Sequence, residues 1–211
     1  MIDRLVRVVA HADELRCIAL PGLRDGVDRE RWLDGAVATA RRVVDHWGGI
    51  DDSFLRATIE HALAQRTDAD VLALQLWPDD AMLTGLVRVS VHDAEGAPAV
   101  AHRLEQSGAA RIDRIDGAMG AGCEWLHVGP LPGEEEASLV GWQALFAGES
   151  VDVLVSLEPT VPQLLPVLLD DARALAQDVA VWVDGEPVRA VDVASLLGIG
   201  YGEAWSTEAR A

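Results

Sequence analysis

Residues 149–183 read Glu149-Ser150-Val151-Asp152-Val153-Leu154-Val155-Ser156-Leu157-Glu158-Pro159, then Thr160-Val161-Pro162-Gln163-Leu164-Leu165-Pro166-Val167-Leu168-Leu169-Asp170-Asp171-Ala172-Arg173-Ala174-Leu175-Ala176-Gln177, then Asp178-Val179-Ala180-Val181-Trp182-Val183. Val151, Val153, Val155 and Leu157 are apolar at period two, the spacing of a half-buried strand, with Asp152 and Ser156 facing the other way. Pro159 cannot donate to a ladder and is expected to end that strand. Thr160 is placed to cap a helix, with Pro162 and Pro166 in its first turn. Leu164, Leu165, Leu168, Leu169, Ala172, Leu175 and Ala176 then form a wide apolar stripe, which needs a flat apolar partner such as the 151–157 strand's own sheet. Asp170, Asp171, Arg173 and Asp178 fall outside the stripe and read as its solvated side. Residues 179–183 return as a strand, and Asp184-Gly185 turns the chain into a hairpin through Val188 to Val193.

Upstream, residues 2–20 are compatible with an early strand or a short helix. Asp28 caps a helix to about His46, with an apolar stripe through Trp32, Leu33, Ala36, Val37, Ala40, Val43, Val44 and Trp47. Asp52 or Ser53 opens a second helix, and the pair reads as an α-hairpin. From Asp70 the period changes. Val71–Trp77, Leu86–Val91, Cys123–Val128 and Leu139–Phe146 read as strands. Ala99–Ser107 reads as a short helix, Arg111–Asp116 as an irregular strand, and Gly117, Gly120 and Gly122 as a flexible loop. Residues after Gly198 read as a loose tail. Helices segregated from strands give an α+β class, a mainly antiparallel sheet covered by helices, in one domain. Within it, 1–66 is a helical layer, 70–193 a sheet-and-helix core and 198–211 a tail.

Composition narrows the function classes. The chain has 211 residues, half of them hydrophobic, with a formal net charge of −18, and all its basic residues are Arg. Residues 1–48 hold eight acids and eight arginines, so the charge sits downstream. Such a field repels phosphate backbones, which argues against nucleic acid and favours a basic protein partner. No apolar run is long enough to span a bilayer and no secretory signal is read, which leaves no membrane role and a cytoplasmic location as the expectation. Cys17 and Cys123 have no metal-type spacing and read as buried free thiols.

Catalytic and metal signatures are weak. His11, His46, His61, His92, His102 and His127 form no H-x-x-x-H pair, so neither a metal nor a cofactor is expected. No G-x-S-x-G elbow anchors a hydrolase triad. Neither the Gly117–Gly122 turn nor Gly198, Gly200 and Gly202 opens a helix, as a phosphate cradle would. Asp51-Asp52 and the run Glu134, Glu135, Glu136 stand beside glycine or proline and read as solvated loops. Seven tryptophans against one Tyr and two Phe are the unusual feature. Most read as core, and Trp77 beside Pro78 and Trp205 in the glycine-rich tail are the candidate partner contacts. Glu134, Glu135 and Glu136 join them as an acidic contact for a basic partner.

The runs Asp70–Pro78, Leu86–Val91 and Val151–Pro159, with the helix that follows, resemble a group of actinobacterial proteins in which a similar strand, a P-x-x-x-P-x-L entry and a long helix close an α/β sandwich. That arrangement is similar to the PsbP-like fold, over roughly residues 50–183. The resemblance implies a non-enzymatic binding or accessory module and carries no catalytic residue across. The leading expectation is therefore an accessory module that binds a protein: an adaptor, a chaperone-like protein or an immunity-type inhibitor of a basic effector. The alternatives are a small-molecule binder or enzyme using a cleft between the N-terminal helices and the sheet, and a structural subunit of a larger particle. The sequence assigns no oligomeric state.

Overall fold

A computed structural model describes residues 5–12, 16–22, 26–78, 83–106, 109, 111–131 and 134–199. In chain order the elements are β1 (Val6–Val9), β2 (Cys17–Ala19), α1 (Arg29–Val44), α2 (Asp52–Ala64), β3 (Asp70–Leu76), β4 (Gly85–Asp93), α3 (Ala97–Gln106), β5 (Ile112–Gly117), β6 (Gly120–Leu131), β7 (Glu134–Ala147), β8 (Val151–Thr160), α4 (Leu165–Asp178), β9 (Ala180–Val183), β10 (Glu186–Pro187) and α5 (Val193–Leu196). Seven strands form one sheet in the order β2-β3-β4-β8-β7-β6-β5, and β1-β9-β10 form a second. Every pairing among the described residues is antiparallel. The α+β class read from the sequence is the class observed.

β8 lies at the centre of the large sheet, and its alternation sets the two faces. Val151, Val153, Val155 and Leu157 are buried with the α4 stripe (Leu165, Leu168, Leu169, Ala172, Leu175, Ala176) and with Val181 and Val183 of the small sheet in one core. A second core, beneath α1 and α2, takes Ile18, Ala73, Trp77 and Leu86. A third, beneath α3 and α5, takes Cys123, Trp125, Leu145 and Ala147. Residues of the second and third cores alternate along their strands with those of the first. One face of the sheet is thus covered by α4 and the small sheet, and the other by two separate helix pairs at its two ends.

Several boundaries differ from the sequence reading. β8 runs through Pro159 to Thr160. Beyond Leu157 it has lost β4 and pairs only with β7, across a register shift between Val140 and Trp142. A proline is tolerated in such a one-sided, bulged stretch, where no ladder bond needs its N–H. Thr160 is therefore strand and not cap. Residues 162–164 form a turn, with Leu164 N–H donating to Val161 O at 2.9 Å, and α4 starts at Leu165 with Pro166 in its first turn. Asp28 caps α1 as expected, but α2 is capped by Asp51, one residue early, accepting from Phe54 N–H at 2.8 Å. That bond and one from Ser53 hold the Asp51 carboxyl below its usual range, with the Ser53 hydroxyl the larger cause.

The undecided N-terminal stretch supplies two strands, one to each sheet, so the 1–66 segment is not purely helical. β5 pairs with β6 without a register break, and Gly117 and Gly120 close a tight hairpin. Gly122 is packed strand, not flexible loop: a Cβ there would meet Leu145 O at 2.6 Å and the Phe146 ring at 2.9 Å. β6 continues through Leu131, past the end at Val128 read from the sequence. Asp184 and Gly185, both at positive φ, make the expected hairpin turn, although the return strand is only Glu186–Pro187. Gly200, Gly202 and Trp205 lie outside the described residues. No disulfide joins the cysteines; Cys123 is buried and Cys17 half-buried.

A buried polar network sits in the tightly covered half. Glu124 points from β6 toward α4. It accepts two hydrogen bonds from Arg173, at 2.8 and 2.9 Å, and a third from the indole N–H of the fully buried Trp142 at 2.7 Å. Arg173, read as solvated from the helix pattern, is instead drawn into this pair. Removing one partner of a buried pair leaves an uncompensated charge. Glu124→Gln is expected to lower stability by about 3 kcal/mol, seen as a reduced urea midpoint at unchanged m-value.

Candidate ligand-binding cleft

The register maps the sheet face between the two helix pairs residue by residue. His92 on β4 is opposite Asp152 on β8, and Asp152 is opposite Ala147 on β7. The next row on that face reads Ser90, Leu154, Leu145 and Cys123. The row after it reads Arg88, Ser156, Gln143 and Trp125. Opposed residues on one face bring their Cβ atoms about 5 Å apart. Over this patch lies a cleft of about 410 Å³, closed on one side by α3. Its base is apolar (Leu104, Trp125, Leu145, Leu154), and polar groups converge on it: His92, Glu95, Arg103, His127, Gln143 and Asp152. An apolar floor with a few directed polar groups is the usual build of a small-molecule site.

Asp152 is the unusual member. It is 2% exposed. One carboxylate oxygen accepts the Glu95 N–H at a long 3.3 Å, and the other is buried with no hydrogen-bond partner. Burial pushes its carboxyl above the ordinary value, opposed by the Glu95 N–H and by the charge of Arg103. Arg103 is itself held by Glu95, Nη1 to Oε1 at 2.6 Å. Ser90 Oγ and His92 Nε2 are hydrogen-bonded at 2.9 Å. A serine, an imidazole and a carboxylate thus share one patch, but no hydrogen bond joins Asp152 to His92 among the described residues, and Ser90 is buried. The relay that activates a serine nucleophile uses that second bond. Cys123, in the same row as Leu154 and Leu145, is pushed up to about 11 by burial, which keeps it a thiol.

Two other concavities flank the N-terminal helices. An open groove of about 760 Å³ runs between β2 and α1, with Arg31, Arg42 and Asp28 along it. A smaller polar one of about 180 Å³ lies between α2 and the sheet, lined by Thr58, His61, Gln65, Gln75 and Glu158. A cleft against the N-terminal helices therefore exists, but the shifted carboxyl is on the α3 side of the same face. The ion pairs of Arg88 with Glu158 and Asp70 lie on the strip between.

Of the residues singled out from sequence, Trp77 is 3% exposed and packed in the core under α1 and α2. The apolar surroundings that bury it remove it as a partner contact. Glu134, Glu135 and Glu136 are the opening residues of β7, not a loop. Trp205 lies outside the described residues. Trp77 is not among the cleft residues. Asp152, the cleft's key residue, was visible in sequence only as an acid inside an apolar run. Among the described residues, no three His, Cys, Asp or Glu side chains gather as metal ligands, and no helix is long and apolar enough to cross a membrane. No protein-family model matches the sequence, and no curated protein does.

A carboxyl whose folded pKa is raised carries no penalty while protonated and its full burial penalty once ionised. Its contribution therefore turns unfavourable as pH rises from the ordinary value of 3.8 through the raised one. Asp152→Asn is expected to raise the urea midpoint at pH 7, with the gap to wild type closing as the pH falls toward 4. Asp192 has the opposite sign. Arg114 and then the Ser195 N–H hold it at about 2, so its stabilisation is present above 3.8 and is lost as pH falls through 2. Asp192→Asn is expected to lower the midpoint at pH 7.

Proposed function

We propose that this protein is a small-molecule-binding module whose site is the cleft between α3 and the middle of the large sheet. The observation that supports it is Asp152, a buried carboxylate with an unpartnered oxygen at the floor of a cleft based on Leu104, Trp125, Leu145 and Leu154. An unsatisfied buried acceptor costs about 1–3 kcal/mol, and a carboxyl that burial shifts upward in a cleft marks a functional-site candidate. Binding without turnover is the reading, because the serine–imidazole contact lacks its orienting carboxylate.

The accessory-module reading, with a basic protein as partner, stands second. It is supported by the net charge of −18. The open groove beside β2 is not where such a partner would dock, since its charged lining is Arg31 and Arg42 against Asp28. A PsbP-like relationship belongs to the same second reading. What supports it is an antiparallel sheet with helices on both faces.

The test is a screen of small soluble fragments by ¹H–¹⁵N and aromatic NMR on the full chain. Binders are expected to shift the Trp125 indole and the His92 and His127 ring resonances together. Leu154→Trp, which fills the cleft floor, is expected to abolish those shifts while keeping the fold. Binders that shift only residues elsewhere, or none at all, would refute the reading.

A further inference from the structure

The charges around Asp152 bear on what the cleft takes. Four titratable or charged groups line the cleft with it: His92 from β4, Glu95 from the entry to α3, Arg103 from α3 itself and His127 from β6. Among the described residues, Arg103 is the one guanidinium lining the cleft, and it is paired with Glu95 at 2.6 Å. Asp152 then has no ion pair of its own among the described residues: Arg103 acts on it through its charge without a hydrogen bond, and one of its oxygens has no donor within hydrogen-bonding distance. No described protein group completes it, so a ligand that does must bring a donor, and a positive one for preference, because an opposite charge close by offsets the penalty that burial puts on a carboxylate. The base of the cleft asks for an apolar body, and Trp125 offers it an aromatic surface. The molecule as a whole, at −18, concentrates cations and repels anions at its surface.

We infer that the ligand is an amine: a primary or secondary ammonium held by Asp152, carrying an apolar or aromatic body that lies on Trp125, Leu145 and Leu154. A cleft of about 410 Å³ holds a body the size of one ring and a short side chain. This rests on the reading of the cleft as a ligand site and narrows it to one charge type.

The experiment is titration calorimetry on the full chain with three probes of one shape: 2-phenylethylamine, 2-phenylethanol and phenylacetate. The amine is expected to bind at least tenfold more tightly than either of the others and to shift the Trp125 indole resonance. Asp152→Asn, checked for its fold by circular dichroism, is expected to lose at least tenfold in amine affinity and nothing for the alcohol. If the alcohol or the acid binds this cleft as tightly as the amine, the amine inference is overturned while the cleft remains a ligand site. If none of the three moves the Trp125 resonance at millimolar concentration, both fall. Should the Asn variant not fold, the ranking of the three probes on the wild-type chain still decides the matter.

Discussion

Side chains on a strand alternate, so a wide sheet has two faces that must both be covered, and the means of cover differ here. α4 and the three-stranded sheet close one face as a single apolar layer. The other face is roofed at its ends by α1 with α2 and by α3 with α5, which pack on different strands. The middle of that face is where the sheet can carry Arg88, Ser90, His92, Asp152 and Gln143 without breaking a core. The cleft follows from the roofing, since two helix pairs over seven strands leave a gap.

Two acids on opposite faces of the large sheet, Glu124 on β6 and Asp152 on β8, show how the fold treats charge on either side of this divide. Glu124 is buried beneath α4 and receives three hydrogen bonds, two of them from a guanidinium. Its charge is compensated, and it fastens helix to sheet. Asp152 is as deeply buried but receives one long bond. Fully satisfied buried networks fix a structure, while partly satisfied ones hold unspent interaction capacity. Residue type does not separate these two carboxylates; their partners do.

That contrast also explains what the sequence could disclose. Period-two runs and capping residues act within a few positions, so the α+β class, the α4 stripe, the Asp28 cap and the Asp184-Gly185 turn were legible. Strand ends were less so, because whether Pro159 stops a strand depends on whether β4 still lies beside it. Trp77 read as a contact because its burial comes from helices whose packing is tertiary. The cleft was not legible at all. His92, Glu95, Arg103, Trp125 and Asp152 are spread over five elements or connections, and only the register β4-β8-β7-β6 gathers them. Arg173 read as solvent-facing for the same reason: its partner Glu124 lies on a distant strand.

The order in which the ribosome delivers these strands is at odds with the order in which they pair. β1 emerges ahead of the other described strands, yet its partner β9 follows long after it, with Val6 matched to Val183. β2 must wait for β3 across the whole α-hairpin, and β4 must wait for β8. Long-range pairings of this kind slow folding and leave strand edges unpaired while synthesis continues. The central strand arrives late, so the large sheet cannot close until residues beyond Val151 are out of the exit tunnel. A nascent chain stalled before that point would hold β3 and β4 with an open edge, a state that invites association with other chains or capture by a chaperone.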